Sequence, residues 1–315
     1  MSESLANSIV KYIEHVSAGK ALREWLNKNY IWPKGPGKRD SLFGKFNNLE
    51  WVERKIGPEP ASCYQKTSHV KAEVERALQR APSFDSEINI VRFFVKEWGG
   101  VRQISDRILE RMVKVRAHMS GPDDDYAPME VLGGIAGGFH RFGLKSPVGA
   151  DTGNVSSWSK YLSVAYPDWG LIYDSRVAYA LNAIIYLYNL STESLWIMPG
   201  GVNSKLGLID IETLLVVSQK NERQSLSKLT ELRGHRNRVS LFREEMYHSD
   251  MDTYRLYLSL VRQVKEILNR SGRVVCQRES EIEAFLFMVA DGQLFEDVLA
   301  ASCGNELFLF EEAVC

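Results

Sequence analysis

Apolar side chains recur at three- and four-residue intervals along most of this chain, and that period calls for helices that each bury one face. Between positions 4 and 28, Leu5, Ile9, Ile13, Val16, Leu22, Trp25 and Leu26 share one face, with a break predicted near Gly19. Residues 68–80 and 86–98 read as further helices, and so do 249–269 and 280–299. In 104–119, Ile104, Ile108, Met112 and Val115 form the inner side, and Arg107, Arg111, Lys114 and Arg116 give a basic outer one. Strand signals are few. The best, 206–217, carries Ile209, Ile211, Leu214 and Leu215, which fit a helical core equally well. The expected fold is mainly α: one two-lobed helical bundle spanning 1–315, with room for a minor β element near 206–217.

Composition narrows the class. A compact chain of 315 residues buries roughly 75% of the surface its unfolded form exposes, so neither disulfides nor a structural metal is needed to close a core. With 44% hydrophobic and 25% charged residues, collagen-like, coiled-coil and disordered chains are excluded. The 39 Lys+Arg and 40 Asp+Glu leave a net charge of -1, which excludes a histone-like binder but not a local basic face. Cys63, Cys276, Cys303 and Cys315 form no CxxC pair, which fits a reducing compartment. Met1-Ser2-Glu3-Ser4 does not open a signal peptide, and the expected location is the cytoplasm. The longest apolar stretch, 177–190, includes Tyr179, Asn182, Tyr186, Tyr188 and Asn189. It falls short of the roughly 20 residues that span a bilayer and reads as a core helix.

Several segments read as connections. Two prolines and two glycines in 32–39 (WPKGPGKR) predict a loop that exposes Lys34, Lys38 and Arg39. Residues 120–128 (SGPDDDYAP) read as a linker with solvated aspartates. Residues 132–143 (LGGIAGGFHRFG) hold five glycines without the spacing of a phosphate loop, and His140 there reads as a surface or hydrogen-bonded histidine. Residues 232–243 concentrate Arg233, His235, Arg236, Arg238 and Arg243 without a carboxylate.

The most informative stretch is 155–181, VSSWSKYLSVAYPDWGLIYDSRVAYAL. Ser156 and Ser157 can cap a helix through Trp158, Tyr161, Leu162 and Ala165 that Pro167 ends. A short extended connection, 168–173, leads to Asp174 at the N-terminus of a second apolar helix. From the local pattern, Asp174 is a helix N-cap worth about 1 kcal/mol.

This order of helix, crossing, carboxylate and helix resembles the helix-hairpin-helix DNA glycosylase superfamily, in its bacterial branch with the 8-oxoguanine glycosylase fold. Ile172-Tyr173-Asp174-Ser175-Arg176-Val177 is similar to the signature whose aspartate opens a helix. Trp158-Ser159-Lys160-Tyr161-Leu162 is similar to the helix after the hairpin, and Trp98-Gly99-Gly100-Val101 to an upstream element. The strong likeness covers 155–181, with weaker similarity over 90–270, the expected catalytic core. The superfamily's LPGVG hairpin is represented only by Pro147-Val148-Gly149 and Gly153-Asn154-Val155, so the hairpin is remodelled. Lys160 precedes Asp174 by 14 positions, fewer than the usual lysine-to-aspartate separation.

The resemblance implies a monofunctional glycosylase that flips a modified base out of DNA and hydrolyses its N-glycosidic bond without a cofactor. It implies a catalytic Asp174, with Lys160 at the position nearest the superfamily's lysine. Tyr173, Trp158, Trp169 and Phe139 are the candidates for a base pocket. DNA contacts are expected from Arg176 and from Arg233, Arg236, Arg238 and Arg243, assisted by Lys34, Lys38 and Arg39. The branch includes anti-phage enzymes, one of which removes glucosylated hydroxymethylcytosine, and repair of 8-oxoguanine or alkylated bases is the alternative. Two other classes stand beside it. Asp210, Glu212 and Lys220 loosely follow the pattern of a magnesium-dependent nuclease, with Ser218 in place of its second carboxylate. A noncatalytic DNA-binding module would use Asp174 only as a cap.

Overall fold

The computed structural model describes residues 3–31, 36–56, 62–101, 104–118, 155–190, 192–199, 206–211, 214–215, 248 and 253–303. Among these the chain is mainly helical: α1 (Glu3–Ser17), α2 (Leu22–Asn29), α3 (Pro36–Asn47), α4 (Cys63–Arg80), α5 (Phe84–Arg92), α6 (Asp106–His118), α7 (Val155–Ala165), α8 (Ser175–Leu187), α9 (Thr253–Ser271), α10 (Glu279–Val289) and α11 (Gln293–Ser302). No helix among them is long and apolar enough to cross a membrane.

Local chemistry accounts for many of the boundaries. The break between α1 and α2 falls at Ala18 and Gly19, whose φ angles of 51° and 74° are left-handed and end a helix. Ser62 and Gln65 form a reciprocal capping box at the start of α4, and the Ser83 hydroxyl accepts from Ser86 N to start α5. The loop expected over 32–39 does not hold for its second half, because Pro36 to Arg39 belong to α3, and 32–35 lie outside the described residues. Proline suits the first helical turn: its φ is already helical, and the N–H it lacks would have had no partner. The 206–217 question resolves toward helix over its described part. Leu206–Leu208 is a 3₁₀ turn, and Leu214 N bonds to Asp210 O at 3.0 Å, a helical four-residue step. Leu206, Ile211 and Leu215 are buried there.

The helices share one hydrophobic core, and their principal packing partners sort into two groups. In one, α8 lies against α1, α10 and α11, while α9 packs on α1 and α10. In the other, α4 packs on α5 and α7, and α6 packs on α5 and α7; the two groups meet through α2 and α4. Helix α8 is buried without a break from Val177 to Ile185, as a helix with apolar residues on every side should be. Its buried amide, Asn182, is matched on both sides: Nδ2 donates to Trp196 O at 2.9 Å, and Oδ1 accepts from Trp196 N at 2.8 Å.

Between α7 and α8 the chain turns at 166–169 and then runs extended through the core. Gly170 starts this run so close to α7 that a Cβ on it would stand 2.2 Å from Leu162 O, so only glycine fits. Leu171, Ile172 and Tyr173 are buried, with no neighbouring strand among the described residues. Side chains satisfy their backbone instead. The Tyr254 hydroxyl donates to Leu171 O at 2.7 Å and accepts from Leu171 N at 3.3 Å. Glu283 Oε2 accepts from Ile172 N at 2.9 Å, and the Tyr257 hydroxyl donates to Ile172 O at 3.1 Å. Ser159 Oγ accepts from Tyr173 N at 3.0 Å and donates to Tyr173 O at 3.1 Å. Burial raises the pKa of Tyr254 and of Tyr257 well above the ordinary value, so both hydroxyls stay protonated donors.

Removing one of these hydroxyls leaves buried backbone groups unpaired, at about 1–3 kcal/mol each. Tyr254→Phe, which strips both groups of Leu171, is expected to lower unfolding free energy more than Tyr257→Phe, which strips only Ile172 O. Urea titration of the two variants measures this, and equal losses would count against the bonding described.

Candidate active site

The extended segment delivers Asp174 to the N-terminus of α8. Its Oδ1 accepts from Arg176 N at 3.0 Å and Val177 N at 3.2 Å, the N-cap expected from sequence. Oδ2 accepts no hydrogen bond among the described residues. The residue is 8% exposed and sits at the positive end of the α8 dipole.

Lys160 lies on the facing helix, α7, and is 7% exposed. Helix α7 starts at Val155, so Ser156 and Ser157 stand in its first turn rather than at the predicted cap. From there Ser156 meets the lysine one turn on: Nζ donates to Ser156 Oγ at 2.9 Å and to Ser156 O at 3.2 Å. Burial pushes the Lys160 amine below its ordinary pKa of 10.5; Asp174 and Glu283 oppose that shift, and Arg176 and Lys71 add to it. No ion pair holds the amine among the described residues.

The opposite wall of the lysine is Gly99. Helix α5 continues into a π-helical turn, Phe93–Trp98, that ends when Gly99 N bonds to Phe94 O at 2.8 Å and Val101 N to Val95 O at 3.2 Å. Gly100, with φ at 74°, makes the left-handed residue of this cap. A Cβ on Gly99 would stand 2.6 Å from Lys160 Cδ. The Trp98-Gly99-Gly100-Val101 element and the Lys160 helix, noted separately in the sequence, are therefore packed on one another.

Behind the segment, Glu283 of α10 joins the two helix groups. Besides Ile172 N, it accepts from Lys71 Nζ of α4 at 3.0 Å. Glu283 has no expected role in the sequence, and Ser156 was expected only as a helix cap. The four-residue spacing of Ser156 and Lys160 on one helical face is a readable signal for the second; nothing local marks Glu283, whose partners are distant in the chain.

The structure changes the roles of three residues. Trp158 and Tyr173 were expected to line a base pocket, but both are packed in the core at 1% and 0% exposure. Trp158 meets Tyr161 edge-on, and the Tyr173 hydroxyl donates to Ile197 O at 2.7 Å. Neither ring has a face open to a base, because apolar burial claims large aromatics first. Arg176 was expected to reach DNA, but Nε donates to Asp291 Oδ2 at 2.9 Å and its guanidinium lies 4.8 Å from the centre of the Phe287 ring. Trp169 is half-buried and stacked on Tyr166, with centroids 5.1 Å apart, so it keeps an aromatic surface beside the segment. Phe139, His140, Arg233, His235, Arg236, Arg238, Arg243, Lys34, Glu212, Lys220 and the hairpin stretch 147–154 lie outside the described residues; Asp210 is exposed. Among the described residues, no three His, Cys, Asp or Glu side chains gather as a metal site.

No protein-family model, curated protein or solved structure matches the chain.

A buried ammonium destabilises the folded state, and the penalty is complete below the folded pKa of Lys160. It fades as pH rises through that pKa and is gone above the unfolded value of 10.5. Lys160→Met, which keeps the chain length without the charge, is therefore expected to raise the urea midpoint at neutral pH. The gain should shrink as the titrations approach pH 10.5, and a gain constant with pH would contradict the buried charge as its cause.

Proposed function

We propose that this protein is a cytoplasmic DNA glycosylase that takes a modified base out of the stack, breaks its N-glycosidic bond and leaves an abasic site. One observation carries the reading: a nearly buried carboxylate, with one oxygen used as a helix cap and the other accepting no hydrogen bond among the described residues, acts through its charge on a buried lysine whose amine is biased toward its neutral form. The resemblance of 155–181 to the helix-hairpin-helix glycosylases points to the same pair.

The chemistry follows from that pair. As the C1′–N bond breaks, its electron pair leaves on the base and the sugar gains oxocarbenium character. Asp174 Oδ2 stabilises that charge and takes a proton from the water that attacks C1′. The helix N-terminus fixes the carboxylate beforehand, so little reorganisation is needed during the reaction. Trp169, stacked on Tyr166, supplies an aromatic surface near the site, and the arginines of 232–243 supply phosphate contacts. Neither a cofactor nor a metal is required. In this reading the substrate is modified phage DNA bearing glucosylated hydroxymethylcytosine, and the role is anti-phage defence.

The surroundings of Lys160 favour a second step after base release. A neutral Nζ adds to C1′ of the ring-opened abasic site, the aldehyde oxygen leaves as water, and an iminium forms. Loss of a C2′ proton then expels the 3′ phosphate.

The test is base release, followed by mass spectrometry, from 8-oxoguanine duplex, alkylated DNA and phage DNA carrying glucosylated hydroxymethylcytosine, with EDTA present. Asp174→Asn keeps the helix cap, since asparagine caps as well as aspartate, and is expected to lower release by about 10²–10³-fold while DNA binding persists. Undiminished release from Asp174→Asn would remove Asp174 from the chemistry. DNA binding without release would favour a noncatalytic module, and EDTA-sensitive strand cleavage a magnesium nuclease.

A further inference from the structure

The buried amine of Lys160 has a particular hydrogen-bonding arrangement that the hydrolysis itself does not require. Its stem is confined by the bare Cα of Gly99, where a Cβ would come within 2.6 Å of Cδ. Its nitrogen is turned back along its own helix onto Ser156, which offers a hydroxyl at 2.9 Å and a backbone carbonyl at 3.2 Å. Both acceptors are uncharged, and no carboxylate forms an ion pair with the amine among the described residues. A neutral amine has two N–H bonds and one lone pair. With both N–H bonds directed at Ser156, the lone pair accepts no hydrogen bond among the described residues.

We propose that Ser156 is the positioning residue of the Lys160 amine, holding both of its N–H bonds so that the nitrogen lone pair is presented to an aldehyde carbon. The inference rests on the reading of this site as one that forms and handles an abasic sugar, and it assigns Ser156 to the lysine's step rather than to base release. The hydroxyl has a second, opposite effect. It also accepts from the charged ammonium and so favours the protonated form, which makes its removal visible as a shift of the pH profile as well as a loss of rate.

The experiment compares Ser156→Thr and Ser156→Val in the full-length protein. The two side chains have the same branched shape, so they disturb the helix alike, and only the first retains the hydroxyl. Two probes are used with borohydride: a duplex carrying one abasic site, and free glycolaldehyde, with peptide mass mapping to locate the reduced adduct. In trapping, the amine adds to the aldehyde carbon, the oxygen departs as water, and hydride reduces the C=N bond to a stable secondary amine. The expected result is labelling of Lys160 in the wild type and in Ser156→Thr. Ser156→Val should be roughly tenfold slower at its plateau, the effect of about one hydrogen bond, with the midpoint of its pH profile moved to lower pH. Equal labelling of the Thr and Val variants, an unmoved midpoint, or no labelling of Lys160 in the wild type overturns the proposal. Hydroxyl-dependent labelling by glycolaldehyde, with no adduct on abasic DNA and no base release, upholds the role of Ser156 and overturns the glycosylase reading instead.

Discussion

Among the described residues the extended segment 170–173 has no neighbouring strand to pair with, and the organisation of this molecule follows from how that deficit is met. Each unpaired buried N–H or C=O costs about as much as a lost hydrogen bond, so a bare strand cannot cross a core. Here Tyr254 and Tyr257 of α9, Glu283 of α10 and Ser159 of α7 take the place of neighbouring strands around Leu171, Ile172 and Tyr173. Elements far apart in the chain are thus bound to one short stretch. The helices that supply these side chains are themselves held by apolar burial, which makes the core and the segment depend on each other.

That arrangement also sets the electrostatics of the site. The segment ends in Asp174, so whatever fixes its backbone fixes the carboxylate. Glu283, which grips Ile172 N, is simultaneously paired with Lys71 and contributes to the field at Lys160. Burial disfavours the lysine's charge, the two carboxylates restore part of it, and Arg176 and Lys71 work against them. The pairing of Arg176 with Asp291 keeps that arginine beside the site as a fixed charge rather than as a reaching arm. One small residue completes the enclosure: Gly99, at the end of a π-helical turn, gives the lysine stem room that any Cβ would occupy.

The parts of the fold that could be read from sequence were those with local causes. The break at Gly19, the end of α7 near Pro167, the N-cap role of Asp174 and the apolar residues on every side of α8 each depend on a handful of adjacent residues. Where the local signal was composition alone, it misled. The prolines and glycines of 32–39 suggested a loop across the whole stretch, whereas Pro36 opens a helix. Trp158 and Tyr173 have the chemistry of base platforms, yet their rings are enclosed, because the same aromatic surface that could stack on a base is removed from water more completely by the core.

The sequence by itself determined that this chain forms helices, which faces they bury and that a carboxylate opens α8, since helical period and capping act within a few residues. Only the tertiary structure decided what surrounds that carboxylate. Gly99 against Lys160, Glu283 on Ile172 and Arg176 on Asp291 join positions with no shared local signal. The physical reason is that desolvation and charge pairing depend on distance in space, and distance in space is set by how the helices pack rather than by any one of them.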